Sequence, residues 1–559
     1  MTIKRTSAPP HGTTSTPDQN DAPDATGDPK KEKSLCSQPS LGRSPSPNQP
    51  PRPTSSLILA PPNTKPPPAH SNLERTNQAP KTDSPTLFHA QRLRQVILHP
   101  NDDSSVIFRI LGSRNTFQNA TLENTYDFLH GHLGHTLRSN LKERLNPQDY
   151  QNAIRILDRG RARSPVVGTP RFESTLDAAT NSVRRPGNVT SLLLDGRKAF
   201  ESRVSAIRSA RKSIYLQTFI FNDDITGWNL ARELVLRAQE GIDVRVIYDG
   251  LGSLRANPII FQYLAANGVK VKEYGSPLTA PFDLNARWHE KHLIVDHQAA
   301  IEGGRNVASE YATGKVERGP RFPTKRNHPW RDVDTYIQGP VVEDIAQGFL
   351  GNWRALGGEP ATPHDRMPPW PTSSFPTAPI RFVQNDPVKQ ESYTQNMYLN
   401  AIHGAKNSIT IESAYFIPPP LLNQALINAA NRGVKVRIMT NSPNSTDMPI
   451  TANAARHFYP ALVKAWVEVY ERNGSTLHSK TMVVDGHYSI IGSVNLNGRS
   501  RWCDTESLVA INDPTLSQEL EASFEQGLAS TTAIRPSDLT SSTAARIGEW
   551  ALSFLHSNM

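Results

Sequence analysis

The chain has 559 residues, with 61 Lys and Arg against 52 Asp and Glu and only two cysteines. That length holds two to four domains, and so few cysteines exclude a disulfide-stapled scaffold. No apolar stretch reaches the roughly 18 residues that a membrane-spanning helix needs, while the formal charge of +9 favours anionic partners, a lipid surface or nucleic acid.

Residues 1–85 are crowded with Pro, Ser, Thr, Asn and Gln, as in Gln49-Pro-Pro-Arg-Pro53 and Lys65-Pro-Pro-Pro68. Such a composition cannot bury enough surface to offset chain entropy, which predicts a disordered leader. Its first residues, Met1-Thr-Ile-Lys-Arg5, lack the apolar region of a secretory signal. The leader therefore fits a tether or export by a signal-independent route. Residues 86–185 carry helical patterning, for example at Tyr126 to Leu129 and Tyr150 to Leu157, and are expected to form a small helical cap on the first half of a duplicated body.

From about residue 186 the chain repeats itself. Ala206-Ile-Arg-Ser-Ala-Arg-Lys-Ser-Ile214 matches Ala401-Ile-His-Gly-Ala-Lys-Asn-Ser-Ile409, and Gly241-Ile-Asp-Val-Arg-Val-Ile247 matches Gly433-Val-Lys-Val-Arg-Ile-Met439. Each half reads as helix, strand, helix, strand and then a polar motif, with β-branched runs between helical patterns. The expected fold class is α/β, with two pseudo-symmetric halves over 186–360 and 361–535, each a mixed, mostly parallel sheet flanked by helices. A final segment, 536–559, carries the stripe Ile547, Trp550, Ala551, Phe554 and Leu555 at helical spacing and is expected to be an amphipathic helix.

The repeat culminates in His289-x-Lys291-x4-Asp296-x6-Gly303-Gly304-x-Asn306, which recurs 189 residues later as His478-x-Lys480-x4-Asp485-x6-Gly492-Ser493-x-Asn495. Each copy supplies an imidazole, an ammonium, a carboxylate and an amide, the groups needed to attack a phosphodiester and hold its oxygens. Strands are expected over 289–295 and 478–484, where His and Lys two residues apart face the same side. Histidines at i and i+3, as in His289-Glu-Lys-His292, do not match a zinc helix, so neither metal nor cofactor is expected.

This doubled pattern resembles the phospholipase D superfamily. The wording Arg287-Trp-His-Glu-Lys-His-Leu-Ile-Val-Asp296, Gly303-Gly-Arg-Asn-Val307, Glu310-Tyr311 and Trp330-Arg-Asp-Val-Asp334 is similar to its bacterial cardiolipin synthase branch, and to members without transmembrane helices. The resemblance implies a phospholipase D or headgroup transferase acting on glycerophospholipids through a phosphohistidine. In that scheme His289 is the nucleophile and His478 the general acid and base. Lys291, Lys480, Asn306 and Asn495 bind the phosphate, while Asp296 and Asp485 complete the catalytic motifs as supports of their turns.

Aligning Trp502-Cys-Asp504-Thr-Glu506 with Trp330-Arg-Asp332-Val-Asp334 requires 17 extra residues around 313–329 in the first half, a basic loop at the mouth of the site. It makes Glu506 and Asp334 equivalent, and the resemblance implies that they orient the two imidazoles. A phospholipase D-family nuclease and a non-enzymatic lipid-binding effector are the alternative functions. The expected setting is a monomeric catalytic unit in a bacterium, cytoplasmic or in peripheral contact with an anionic membrane surface, with nucleic acid not expected as a partner.

Overall fold

The computed structural model describes residues 85–98, 105–112, 122, 126, 137–159, 164–194, 196–275, 286–313, 329–359, 377–386 and 392–539. The expected leader (apart from Pro85), most of the insertion and the C-terminal stripe lie outside the described residues. Helices Pro85–Leu98, Ser105–Gly112, Leu137–Arg144 and Pro147–Arg159 enclose a core of their own around Leu93, Ile107, Leu141 and Leu157.

The first half contributes β1 (Arg185–Leu193), β2 (Ser213–Thr218), β3 (Asp243–Asp249), β4 (Lys270–Tyr274), β5 (Arg287–Trp288), β6 (His292–Val295), β7 (Ala299–Gly303) and β8 (Asp334–Gln338). The second contributes β9 (Ala378–Asn385), β10 (Ser408–Ser413), β11 (Lys435–Asn441), β12 (Glu468–Arg472), β13 (Lys480–Val484), β14 (Tyr488–Gly492), β15 (Asp504–Asn512) and β16 (Thr531–Ala533). They join in the order β16-β12-β11-β10-β13-β14-β15-β9-β1-β8-β7-β6-β2-β3-β4. The order reads alike outward from the β9–β1 seam, apart from terminal β16, so the duplication seen in the sequence is a duplication of topology.

The sheet is mixed, but the expected parallel majority is corrected. Only β2-β3-β4 and β10-β11-β12 run parallel in that order, where helices such as Ile225–Gln239 and Pro420–Asn431 make the crossovers. The other ladders along that order are antiparallel; within each motif this follows from a tight hairpin, β6–β7 or β13–β14, whose turn is too short for a crossover.

Apolar cores cover both faces. Leu216, Val246 and Leu293 lie under the first half's crossover helices, and Ile411, Ile438 and Met482 under those of the second. A third core on the opposite face is shared: Ile294, Phe349 and Trp353 of the first half pack in one cluster with Ile380, Val483 and Val509 of the second. Each such side chain contributes about 1.5–3 kcal/mol on burial, which binds the halves into one body.

Helix Pro170–Thr180, capped by the Thr169 hydroxyl with Pro170 at its first position, packs on helix Tyr393–Gly404. Phe172 and Leu176 enter the second half's core, and Glu173 and Asp177 pair with buried Arg381. This part of the expected cap thus sits on the second half rather than the first. The reason is topological: β1, the next strand along the chain, pairs with β9 at the seam.

Candidate active site

The regular motif strands start later than the sequence suggests, at His292 and Lys480. Both histidines lie on lead-in segments held by the opposite half. Trp288 of β5 pairs in parallel with Thr505 of β15, and the His289 N–H donates to the Thr505 carbonyl at 3.0 Å. Reciprocally, Arg331 bridges to Leu477, and the His478 N–H donates to the Arg331 carbonyl at 2.7 Å. Asp249 and Asn441 occupy matching places at the ends of β3 and β11 and secure these segments, accepting from the Trp288 N–H (3.2 Å) and the Leu477 N–H (2.8 Å).

In each case the next residue of the crossing segment carries the carboxylate that meets the imidazole. Glu506 lies 3.0 and 3.1 Å from His289 Nδ1, and Asp332 Oδ2 lies 2.6 Å from His478 Nδ1. Glu506 is one of the two carboxylates named from the sequence; the expectation for the other, Asp334, is corrected, because it does not meet an imidazole. The buried Asp334 carboxylate pairs with Arg203 at 2.9 Å and Arg305 at 3.1 Å. Sheet register explains the error. Gly303 faces Asp334 across β7–β8 and Gly492 faces Leu508 across β14–β15, so Glu506 corresponds to Asp332. Matching the Trp330 and Trp502 wording made the insertion two residues too long. The counterpart lay two residues away, in a stretch whose own letters offered two aspartates.

Burial and neighbouring cations set the charge states. His289 is driven well below the ordinary imidazole range by burial, then by Lys291, Lys480 and Arg499; His478 is lowered to about 4 by burial and Lys480, with Asp332 opposing. Burial also lowers Lys291 to about 7 and Lys480 to about 8, and raises Glu506 to about 7. Burial alone would raise Asp332, but His478 and Lys480 outweigh it and keep the carboxyl well below its usual range. A carboxylate at Nδ1 accepts the hydrogen bond of the Nδ1–H, which fixes the tautomer and leaves Nε2 of a neutral ring available as a nucleophile.

Both lysine ammonium groups turn back onto the carbonyl of their own histidine, and Lys480 Nζ stands 3.0 and 3.2 Å from the ring nitrogens of His478. Phe219 packs 5.0 Å from His289, and Tyr311 and Trp330 pack 5.0 and 5.6 Å from His478. These walls limit each ring's rotation and the local water, which strengthens charge interactions inside.

Asp296 and Asp485 are not brought to the imidazoles. Their carboxylates accept the backbone N–H groups of Arg211, Lys212 and Ser213, and of Lys406, Asn407 and Ser408, at 2.6–3.1 Å. Both stand at φ near +50°, in the hairpin turn, where Asp tolerates the left-handed region better than most residues. They tie the turn to the start of β2 or β10.

Asn306 is buried between the Ile220 N–H, which its Oδ1 accepts at 3.1 Å, and the Tyr311 hydroxyl, to which its Nδ2 donates at 2.8 Å. Asn495 Oδ1 is buried without a partner among the described residues. A Cβ at Gly304 would collide with the Asp332 carboxylate, so glycine is needed there for a carboxylate's approach. In the second copy Ser493 stands at that place, and its hydroxyl donates to Glu506 at 2.5 Å, as does that of Ser500.

Sequence reasoning also missed the supporting pairs behind each motif. Glu290 accepts from Gln217 (2.6 Å), Asn352 (2.6 Å) and Gln384 (2.8 Å). Its counterpart Ser479 instead donates to Glu412, which holds Arg331 at 2.5 Å and so steadies the segment carrying Asp332. The signal was present in the alignment of halves, where Gln217 matches Glu412 and Glu290 matches Ser479, the acid having changed strands.

A family model described as the phospholipase D-like domain of cardiolipin synthase matches residues 204–319 and again 398–528. The major cardiolipin synthase ClsA of Bacillus subtilis is 31% identical over 349 residues, 61% of this chain and 69% of that protein. A cardiolipin synthase of Halalkalibacterium halodurans is 32% identical over 314 residues, 56% of this chain; the chain spans about 60% of that relative's length. Among solved structures, the phosphatidylserine synthase of Haemophilus influenzae superposes over 69% of this chain and all of its own, with a TM-score of 0.54 at 14% identity, a likeness of fold.

Proposed function

The chain belongs to the cardiolipin synthase family of phospholipase D-like proteins, and on that basis we propose that it is a phosphatidyltransferase that exchanges headgroups on glycerophospholipids through a phosphohistidine. The observation that carries this reading is the reciprocal pair of imidazoles, each with a carboxylate from the opposite half on Nδ1 and with two buried ammonium groups alongside.

In the proposed first step, His289 Nε2 attacks phosphorus. The bond from phosphorus to the leaving alcohol breaks, and that oxygen takes a proton from His478, whose imidazolium is stabilised by Asp332. An incoming alcohol then gives its proton to His478, its oxygen attacks phosphorus, and the P–N bond to His289 breaks. Water in place of the alcohol gives phosphatidate. Lys291 and Lys480 neutralise the phosphoryl oxygens, with Asn306 and Asn495 as further donors. The bound phosphodiester anion raises the proton affinity of His478, which burial and Lys480 lower.

The two copies of the motif in one chain support a monomeric catalytic unit. No helix among the described residues is long and apolar enough to cross a membrane. Peripheral contact with a bilayer is proposed as the way the enzyme reaches its lipid, because the proposed substrate resides there; export by a signal-independent route would rest on the leader.

The test is to incubate the full chain with phosphatidylglycerol or phosphatidylethanolamine, each with and without added glycerol or ethanol, and to resolve the products. Cardiolipin or an exchanged headgroup is expected, and His289→Asn should abolish it. Phosphatidate alone would replace transfer by hydrolysis. Cleavage of DNA with no lipid product would replace the lipid reading by a nuclease.

A further inference from the structure

Ten large apolar side chains are exposed among the described residues, and five of them, Ile225, Leu254, Ile259, Met448 and Ile450, lie in the connections that leave the carboxyl ends of β2, β3 and β11. They are 41% to 57% exposed, save Leu254 at 61%. These connections frame the two histidines. Gly252 and Ser253 rest on the Phe219 backbone, and Phe219 touches His289. Asp447 accepts from the Tyr415 hydroxyl at 2.8 Å, and the Tyr415 ring lies 6.4 Å from His478. Asp224, which caps the helix that begins at Ile225, accepts the Ser309 N–H at 2.7 Å. Two residues beyond Ser309, Tyr311 packs its ring on His478, as Tyr415 does, so the three connections meet around the histidine pair.

We propose that this apolar rim inserts into the headgroup and acyl boundary of a phospholipid bilayer, so that a lipid phosphate reaches the histidine pair without leaving the membrane. The inference rests on the lipid reading of the site. Its occupant is argued from placement: apolar side chains are gathered where a lipid substrate must enter, and the β3 and β11 connections present them from both halves in pseudo-symmetric positions. Attachment by insertion draws on buried apolar area, so it is expected on neutral as well as anionic bilayers.

The experiment uses the full chain, phosphatidylcholine vesicles with and without phosphatidylglycerol, and the variant Leu254→Ser/Met448→Ser. The control is Leu236→Ser, an exposed residue three turns along the helix that Ile225 begins, about 16 Å from it at 1.5 Å per residue. The rim variant should bind both kinds of vesicle at least about tenfold more weakly, and the control should bind like wild type. On vesicles of phosphatidylcholine alone, added salt should leave the difference between wild type and rim variant in place. Should the rim variant fold poorly, Leu254→Trp serves instead: its fluorescence should be quenched by brominated lipid, whereas that of Leu236→Trp should not.

Unchanged vesicle binding by the folded rim variant, or an unquenched Leu254→Trp on bound vesicles, overturns the proposal. So does a rim that drives self-association of the wild type without vesicle binding. Turnover of dispersed short-chain phospholipid forms a separate arm. Rim-dependent vesicle binding with no lipid turnover by wild type would sink the proposed chemistry and keep the surface; normal turnover with rim-independent binding would do the reverse.

Discussion

Replacing Asp332 and Asp334 separately by Asn tests the assignment of the carboxylate behind His478. Asp332 Oδ2 lies 2.6 Å from His478 Nδ1 with both side chains buried. An amide there keeps the shape but removes the charge that supports the imidazolium and the acceptor that fixes the tautomer. Losing one partner of a buried charged pair costs about 3–5 kcal/mol, which as transition-state stabilisation is about two to four decades in rate. Asp334 instead neutralises Arg203 and Arg305 at 2.9 and 3.1 Å. Asp334→Asn should therefore lower stability by a similar few kcal/mol, while the folded molecules keep kcat within about tenfold. The assay is steady-state headgroup exchange on dispersed lipid, with thermal or denaturant unfolding of the same preparations. If Asp334→Asn, while folded, lost as much kcat as Asp332→Asn, or if Asp332→Asn kept more than about a tenth of wild-type kcat, the assigned crossing register would be wrong.

Gly304→Ala should lose activity, because its Cβ would displace the Asp332 carboxylate, whereas Ser493→Gly opens no clash and should cost only the hydroxyl's support of Glu506, about 0.5–3 kcal/mol in transition-state terms. Comparing kcat of the two folded variants checks the asymmetry; equal loss would refute it. His478 also predicts a pH response: its folded value of about 4 lies below the ordinary imidazole value of 6.5, so the unfolded chain binds its proton first as pH falls. Its share of stability is therefore intact above pH 6.5 and lost progressively toward pH 4, up to about 3 kcal/mol. Denaturant unfolding from about pH 7 to about pH 4 should fall less steeply for His478→Gln than for wild type, and parallel curves would show that this imidazole is not the titrating group.

Features whose cause is local were legible in the amino-acid letters. Ala206 to Ile214 against Ala401 to Ile409 disclosed the duplicated helix–strand unit, because both copies must present the same apolar faces to their own cores. His289 with Lys291, and His478 with Lys480, could be read because two-residue spacing is set by the backbone alone. Glu506 could be found from chemistry and approximate alignment. The features that waited for the folded chain are non-local: the antiparallel balance of the sheet, the seam between β1 and β9, and the choice of Asp332 over Asp334. The last depends on which residue of one half crosses beside the other half's motif. A shift of two residues keeps the side-chain face and the local letters nearly unchanged, so no local pattern could discriminate; the Arg331–Leu477 bridge could.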